Sequence, residues 1–185
     1  RDNVHLVDLL ETPIECVTPG GIRSTDTERP FDVIVYATGF DAITGAFDRI
    51  EFIGTGGQRL REKWSGSPIT YLGMMVHGFP NLFVVQPTQG ANLISNIPHN
   101  LTESGRTIAA VVRHAVEHGH REVEVAADAE QAWIDLLLTG GGRMLGSPDC
   151  TPGYYNNEGQ SSGRRGILNG AGYPAGPAAF FEYID

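Results

Sequence analysis

The stretch Asp32-Val33-Ile34-Val35-Tyr36-Ala37-Thr38-Gly39-Phe40-Asp41 constrains this chain more than any other. Val33 to Ala37 are apolar without interruption, and the run stops abruptly at Thr38-Gly39. An apolar run of that length predicts a strand covered on both faces, as in a parallel α/β sheet, rather than an amphipathic edge. Such a strand points its carboxyl end at the crevice where open α/β sheets bind ligands. Gly39, having no Cβ, lets another segment or a cofactor come close. A lone Thr-Gly is read just as well as a strand-to-loop turn, so the surroundings must decide.

Around this run the pattern is mixed. Val4, Leu6 and Val7 read as a short strand. Ile14 to Val17, Thr18-Pro19-Gly20-Gly21 and Ile22 to Ser24 read as a hairpin with Pro and Gly in its turn, followed by a polar stretch over 25–30. Residues 41–70 read as irregular. Tyr71 to Val76 is apolar, and Asn81 to Val85 reads as a second buried strand entered through Gly78-Phe79-Pro80. The Gly/Asn/Pro-rich segment 86–99 leads to a predicted helix over 102–118. Its stripe is Leu101, Ile108, Val111, Val112, Ala115 and Val116, with Gly119 as the stop. Glu122 to Val125 alternates like a strand. Asp128 with Gln131 resembles a capping box opening a second helix that carries Trp133, Leu136 and Leu137 and ends at Gly140-Gly141-Gly142. Beyond Cys150 the pattern predicts loops held by aromatic residues. The expected fold class is α/β: part of a Rossmann-like nucleotide-binding domain with a hairpin start, two buried strands, two helices and a long loop-rich tail.

At 185 residues the chain is one domain's length, too short for two full ones. A net charge of −9 argues against a nucleic-acid partner, because phosphate binding needs accumulated Lys and Arg. No run of about 18 apolar residues exists to span a membrane. The opening Arg1-Asp2-Asn3 has neither a start Met nor a signal peptide and begins in mid-pattern, so a piece of a longer protein is expected. Cys16 and Cys150 make no zinc pattern, and reduced thiols in a cytoplasmic protein are the simplest reading.

Other candidates carry little. His114, His118 and His120 lack a carboxylate to complete a metal set and read as a solvated helix end. Asn100-Leu101-Thr102 is a glycosylation sequon without evidence of secretion. Ser104 and Ser161 have no nucleophile-elbow context. Arg164-Arg165 reads as surface.

Taken in order, DVIVYATGFDAITG (32–45), EKWSGSPITYLG (62–73), GFPNLFVV (78–85) and the segment leading to SNIPHN (95–100) resemble the C-terminal part of class B flavoprotein monooxygenases, the Baeyer–Villiger monooxygenases in particular. RDNVHLVD, the hairpin and EQAWIDLL fit as well. CTPGYYNNEG (150–159) resembles the subgroup acting on cyclopentadecanone-like and steroid ketones. The resemblance implies FAD and NADPH as cofactors, with a ketone and O₂ as substrates and an ester or lactone as product. It implies that residues 1–30 end an NADP-binding domain, 31–145 complete an FAD-binding domain and 146–185 form a tail lining the active site. The 32–37 strand would then stand beside sheet strands this chain does not contain.

The departures matter as much. No G-x-G-x-x-G follows a strand; Gly54-Thr55-Gly56-Gly57-Gln58-Arg59 fails at its sixth position, so no helix N-terminus is prepared for a pyrophosphate. The family's F-x-G-x-x-x-H fingerprint is absent, and its active-site arginine would precede RDNV, outside the chain. The residues alone are therefore expected to be inactive, with no catalytic and no metal-binding residue and without FAD of their own. What the resemblance assigns is lining: Thr38, Gly39, Asn96 and Ile97 toward the cofactor, and Leu93, Ile94, Tyr154, Tyr155 and Asn156 toward the ketone pocket. The loop 86–97 resembles the stretch that passes the flavin ring towards a helix, and backbone N–H groups at such a helix start would face electron-rich flavin oxygen. The alternatives are an N- or S-oxygenating flavin monooxygenase, against which the EKW, YLG and GFPNLF series weighs, and a non-catalytic binding module. Unpartnered apolar strand edges predict a dimer of the isolated chain.

Overall fold

The computed structural model describes residues 1–37, 45–65, 67–85, 89–91, 95–140, 168 and 170–185. The chain divides into two compact units, Arg1–Gly39 and Phe40–Asp185.

The first unit is a three-stranded antiparallel sheet in the order β1 (Ile14–Thr18), β2 (Gly21–Ser24), β3 (Glu28–Pro30). The expected hairpin forms, with Val17 opposite Ile22 and Thr18 opposite Gly21 around Pro19-Gly20. A Cβ at Gly21 would lie 2.0 Å from the Arg29 carbonyl oxygen, so this crossing of β2 and β3 requires glycine. The polar stretch conceals β3. Its turn is closed by the Ser24 N–H donating to the Thr27 carbonyl (2.9 Å) and by Arg29 paired with Asp26 at 2.7 Å. Arg23 meets Glu28 across the strands at 2.8 Å.

Two expected strands do not form. Residues 4–7 have no ladder, and Leu6 is 98% exposed. Residues 32–37 are likewise not a strand, and Val33 and Val35 are 75% and 81% exposed instead of buried on both faces. A strand exists only by pairing, and none of β1 to β3 pairs with either segment.

The second unit holds five helices among its described residues: α1 (Gly45–Asp48), α2 (Leu60–Trp64), α3 (Ile97–Glu117), α4 (Ala127–Thr139) and α5 (Pro177–Ile184). One apolar cluster gathers Leu72, Met74, Trp133, Ile134, Leu137 and Phe180; a second gathers Leu60, Trp64, Val76, Phe79 and Val84. The region 41–70 is thus not irregular, since α1, α2 and a 3₁₀ turn at Thr55–Gly57 lie in it. Asn81 to Val85 is no buried strand either: a single bridge joins Met75 to Phe83, and Val85 is half-exposed. Asn81, at φ +60°, turns the chain and uses its side-chain amide as a surrogate strand. Its Oδ1 accepts from the Val123 N–H (3.0 Å) while its own N–H donates to the Val123 carbonyl (2.9 Å). That pairing replaces the strand expected at 122–125.

α3 starts five residues before the predicted Thr102, because Asn96 caps it and Pro98 fits its first turn. Leu101, Ile108, Val111 and Ala115 face inward, whereas Val112 and Val116 are exposed and leave the predicted stripe. The helix stops as expected at Gly119, whose φ of +69° lets its N–H reach the Val116 carbonyl. The capping box at Asp128 is not made. α4 begins two residues earlier with Ala126 as N-cap, and Asp128 Oδ1 accepts from the adjacent Ala129 N–H. α5 corrects the loop-only tail; its PAAFFEYI sequence is too short for periodicity to reveal, yet Phe180 is fully buried.

Candidate functional site

The candidate site is built on the start of α3. Asn96 has extended backbone angles, and its Oδ1 accepts from the His99 N–H at 3.1 Å. Its carbonyl accepts from the Asn100 N–H at 3.0 Å, the first bond of the helix. Pro98 has no N–H to offer. That leaves the Ile97 N–H as the first-turn donor that no described residue accepts from. The positive end of the helix dipole therefore lies at the N–H of a half-buried Ile97. Behind it, the Ser95 hydroxyl donates to Oδ1 of the buried Asn100. His99 packs edge-on against Phe181, ring centres 4.8 Å apart, which docks α5 on this turn.

The loop entering the site is fixed by a residue the sequence reading passed over. Gln89 is fully buried with φ +62°, a left-handed conformation uncommon for a non-glycine residue. Its Oε1 accepts from the Thr70 hydroxyl (2.6 Å) and N–H (3.2 Å), and its Nε2 donates to the carbonyls of Pro68 (2.6 Å) and Leu168 (3.2 Å). Its own N–H donates to the Ala171 carbonyl (2.8 Å), and its carbonyl accepts from Trp133 Nε1 (3.0 Å). Beside it a Cβ on Gly90 would sit 3.0 Å from the Phe180 ring, so α5 packs directly on this backbone.

A second buried polar knot joins α2 to α4. Lys63 Nζ lies 2.6 Å from Glu130 Oε2 and donates to the His77 carbonyl at 2.6 Å. Glu130 Oε1 accepts from the His77 N–H at 2.7 Å, and Glu124 Oε1 from the Gly78 N–H at 2.6 Å. His77 Nδ1 faces two acceptors, the Val125 carbonyl (3.0 Å) and Glu124 (3.2 Å), and so carries the proton. Lys63 of EKW, Glu130 and Glu124 are thereby used to hold the entry to the GFPNLF turn.

Of the residues assigned by resemblance, Asn96 and Ile97 come together at the α3 start. Thr38, Gly39, Leu93, Ile94, Tyr154, Tyr155 and Asn156 lie outside the described residues, as do Cys150, Ser161, Arg164 and Arg165. Cys16 is a free, exposed thiol. His114, His118 and His120 stack at the far end of α3, and among the described residues no group of three metal-ligating side chains converges. A cleft of about 620 Å³ runs beside them, lined by Val111, Ala115, Val123 and Ile184, well along α3 from Asn96.

No protein-family model matches the chain. Over its whole length, however, the chain is 41% identical to a Baeyer–Villiger monooxygenase of Streptomyces coelicolor, covering 30% of that enzyme. The chain is homologous to the C-terminal part of Baeyer–Villiger monooxygenases. Among solved structures it matches an oxidised steroid monooxygenase bound to NADP across its full length, with TM-score 0.80 and 29% identity, covering 33% of that chain. It matches OTEMO in complex with FAD and NADP over 74% of its length, with TM-score 0.69 and 38% identity, covering 26% of that chain. The chain spans about a third of the length of the curated relatives it matches. These neighbours are flavin monooxygenases, which supports the α/β class at that coarse level.

Proposed function

We propose that these residues form the C-terminal part of an FAD- and NADPH-dependent monooxygenase that inserts oxygen beside a ketone carbonyl to give an ester or lactone. The observation that carries this reading is the match to Baeyer–Villiger relatives over the whole chain. In this reading residues 1–30 end the NADP-binding domain, 31–145 complete the FAD-binding domain and 146–185 line the active site.

The α3 start fits a flavin. A helix N-terminus whose Ile97 N–H no described residue accepts from, flanked by a proline and a capped amide, offers a directed donor to an electron-rich oxygen. When bound, FAD would pass electrons from NADPH to O₂. This chain's own part is to hold: Asn96 fixes the helix start, Ile97 presents its N–H, and Leu93 and Ile94 with Tyr154, Tyr155 and Asn156 form the ketone wall. Thr38-Gly39 lets the cofactor approach at the end of the 32–37 segment. The steroid monooxygenase likeness favours a bulky ketone.

The exposed apolar residues of the first unit, Leu6, Leu10, Val33, Val35 and Tyr36 among them, fit a surface that other strands of a longer flavoprotein cover. Without those strands a second copy of the chain takes their place, so the isolated chain dimerises. Light scattering checks this, and a monomer at high concentration would refute it.

The reading is tested by exchanging these 185 residues for the matching segment of the Streptomyces relative. The chimera should oxidise NADPH, consume O₂ and convert a cyclic ketone to a product heavier by one oxygen atom. A folded, flavin-loaded chimera that leaves every ketone intact while oxygenating an amine or sulfide would overturn it.

A further inference from the structure

The two tryptophans of the chain differ in one respect. Each indole is almost wholly enclosed, Trp64 at 4% and Trp133 at 3% exposure. Each donates its N–H to a backbone carbonyl, that of Ile69 (2.9 Å) and that of Gln89 (3.0 Å). Their ring neighbours are what set them apart. Trp64 meets Phe47 edge-on at 5.2 Å, and among the described residues no tyrosine ring contacts it. Trp133 is stacked by two tyrosines: Tyr173 at 5.7 Å with 4° between planes, and Tyr183 at 6.1 Å with 21°. Those two rings also stack on each other, at 5.7 Å and 24°. Tyr183 is 56% exposed, so the three rings run without a gap from an enclosed indole to solvent.

Burial alone does not call for this arrangement. A phenylalanine ring serves a buried indole equally well, as at Trp64, and a tyrosine more than half in water adds little burial. Indole and phenol are instead the aromatic side chains that give up one electron most readily, and stacked rings let that electron cross. The proton sets the direction. The Trp133 N–H faces only a carbonyl, too weak a base to take its proton, so the oxidised indole stays a cation and a strong oxidant. Tyr183 has water to take its phenolic proton and shares a hydrogen bond with the Tyr71 hydroxyl. Tyr71, edge-on to Trp133 at 6.2 Å, is the poorer electron donor, because burial first and Tyr183 second push its pKa up and hold its proton.

We propose that Trp133 and Tyr183, with Tyr173 stacked against both, form a relay that carries an oxidising equivalent out of the core. An oxygen-centred radical takes one electron from Trp133 and is reduced by it. Tyr183 then supplies one electron to the indole and releases its phenolic proton to water. Trp133 is restored with its N–H intact, and a phenoxyl radical is left at the surface. There a reductant of the ascorbate class returns it to phenol by giving one electron and one proton. The relay protects the indole whose N–H holds the Gln89 carbonyl. Partly reduced oxygen from the O₂ chemistry proposed above is one source of such radicals, but the relay rests on these rings alone.

Pulse radiolysis of the 185-residue chain in azide solution tests it, because the azide radical formed there oxidises indole in preference to phenol. The Trp133 share of the indolyl absorption should pass into phenoxyl absorption in a first-order step whose rate is the same at every protein concentration. The Trp64 share should persist, and Trp64→Phe should remove it. Tyr183→Phe keeps the exposed ring and loses only the phenol, so the chain should fold while the conversion slows at least tenfold. Tyr71→Phe should change the rate less than threefold. Under repeated oxidation with ascorbate present, peptide mass spectrometry should find at least tenfold more oxidised Trp133 in Tyr183→Phe than in the parent, with Trp64 oxidised equally in both. A conversion that is absent, that scales with protein concentration or that is unchanged in Tyr183→Phe overturns the relay. Equal damage to Trp133 in the parent and in Tyr183→Phe overturns its protective role and leaves the stack as packing.

Discussion

Removing either member of the Lys63–Glu130 pair should cost this fold more than any surface charge. The two groups lie 2.6 Å apart with side chains only 11% and 9% exposed, so their attraction is little screened. At an effective dielectric of about 20 the gross attraction is about 6 kcal/mol, most of it offset by desolvation of the two ions. Deleting one partner leaves the other's desolvation unpaired, and either Glu130→Leu or Lys63→Met should then lose about 3–5 kcal/mol. Glu130→Leu also strips the acceptor from the His77 N–H, and Lys63→Met the donor from the His77 carbonyl. The double variant removes both charges and leaves only those two backbone groups wanting, so it should lose about 2–4 kcal/mol, far less than the sum of the singles. Urea unfolding followed by tryptophan fluorescence reads this well, because Trp64 adjoins Lys63 on α2 and Trp133 lies one turn from Glu130 on α4. Single losses below about 1 kcal/mol that add in the double variant would show the pair to be an ordinary surface bridge and refute the reasoning.

Three further outcomes are expected. Asn96→Ala should lose about 1 kcal/mol and fray the first turn of α3 in amide exchange, while Asn96→Asp should keep both. Gly140→Ala should lose about 1–3 kcal/mol in thermal unfolding, since its Cβ would sit 2.1 Å from Pro174 Cγ where α4 ends. Hydrogen bonds from Arg29, then Ser24, hold the Asp26 carboxyl below the ordinary carboxylate range, and those from Arg23, then Thr18, do the same for Glu28. Because both values are depressed on folding, the stability they add is present above the ordinary values of 3.8 and 4.5 and is lost as pH falls through the lower folded ones. Carboxyl ¹³C titration should give midpoints below those values, and midpoints at or above them would contradict the assignment.

Local chemistry made some elements legible. The Pro-Gly hairpin, the Gly119 stop and the Trp133 helix follow from turn residues and periodicity, which need no distant partner. The 32–37 run is instructive in the other direction: its composition encodes a strand, but a strand needs neighbouring backbones, and the described residues supply none. Asn81 shows a third case, where a side-chain amide does the work of a strand and leaves no pattern in sequence. The site was less legible. Asn96 and Ile97 were named only through the resemblance of SNIPHN; the cap and proline that start α3 there went unread, and periodicity placed the helix at Thr102. Gln89, Lys63 and Glu130 were not legible, because their meaning lies in contacts across 67 residues for the ion pair and 79 for Gln89 with Leu168. A polar residue inside a loop looks the same whether it is solvated or wholly enclosed.

The central claim is that these residues supply the flavin-facing part of a Baeyer–Villiger monooxygenase but not a nucleotide-binding turn. Titration of FAD, read by its visible absorption, into the 185-residue chain and into the chimera tests it most directly. The account predicts stoichiometric flavin on the chimera and none held by the chain alone. Tight FAD binding by the chain alone, or an empty but folded chimera, would contradict it.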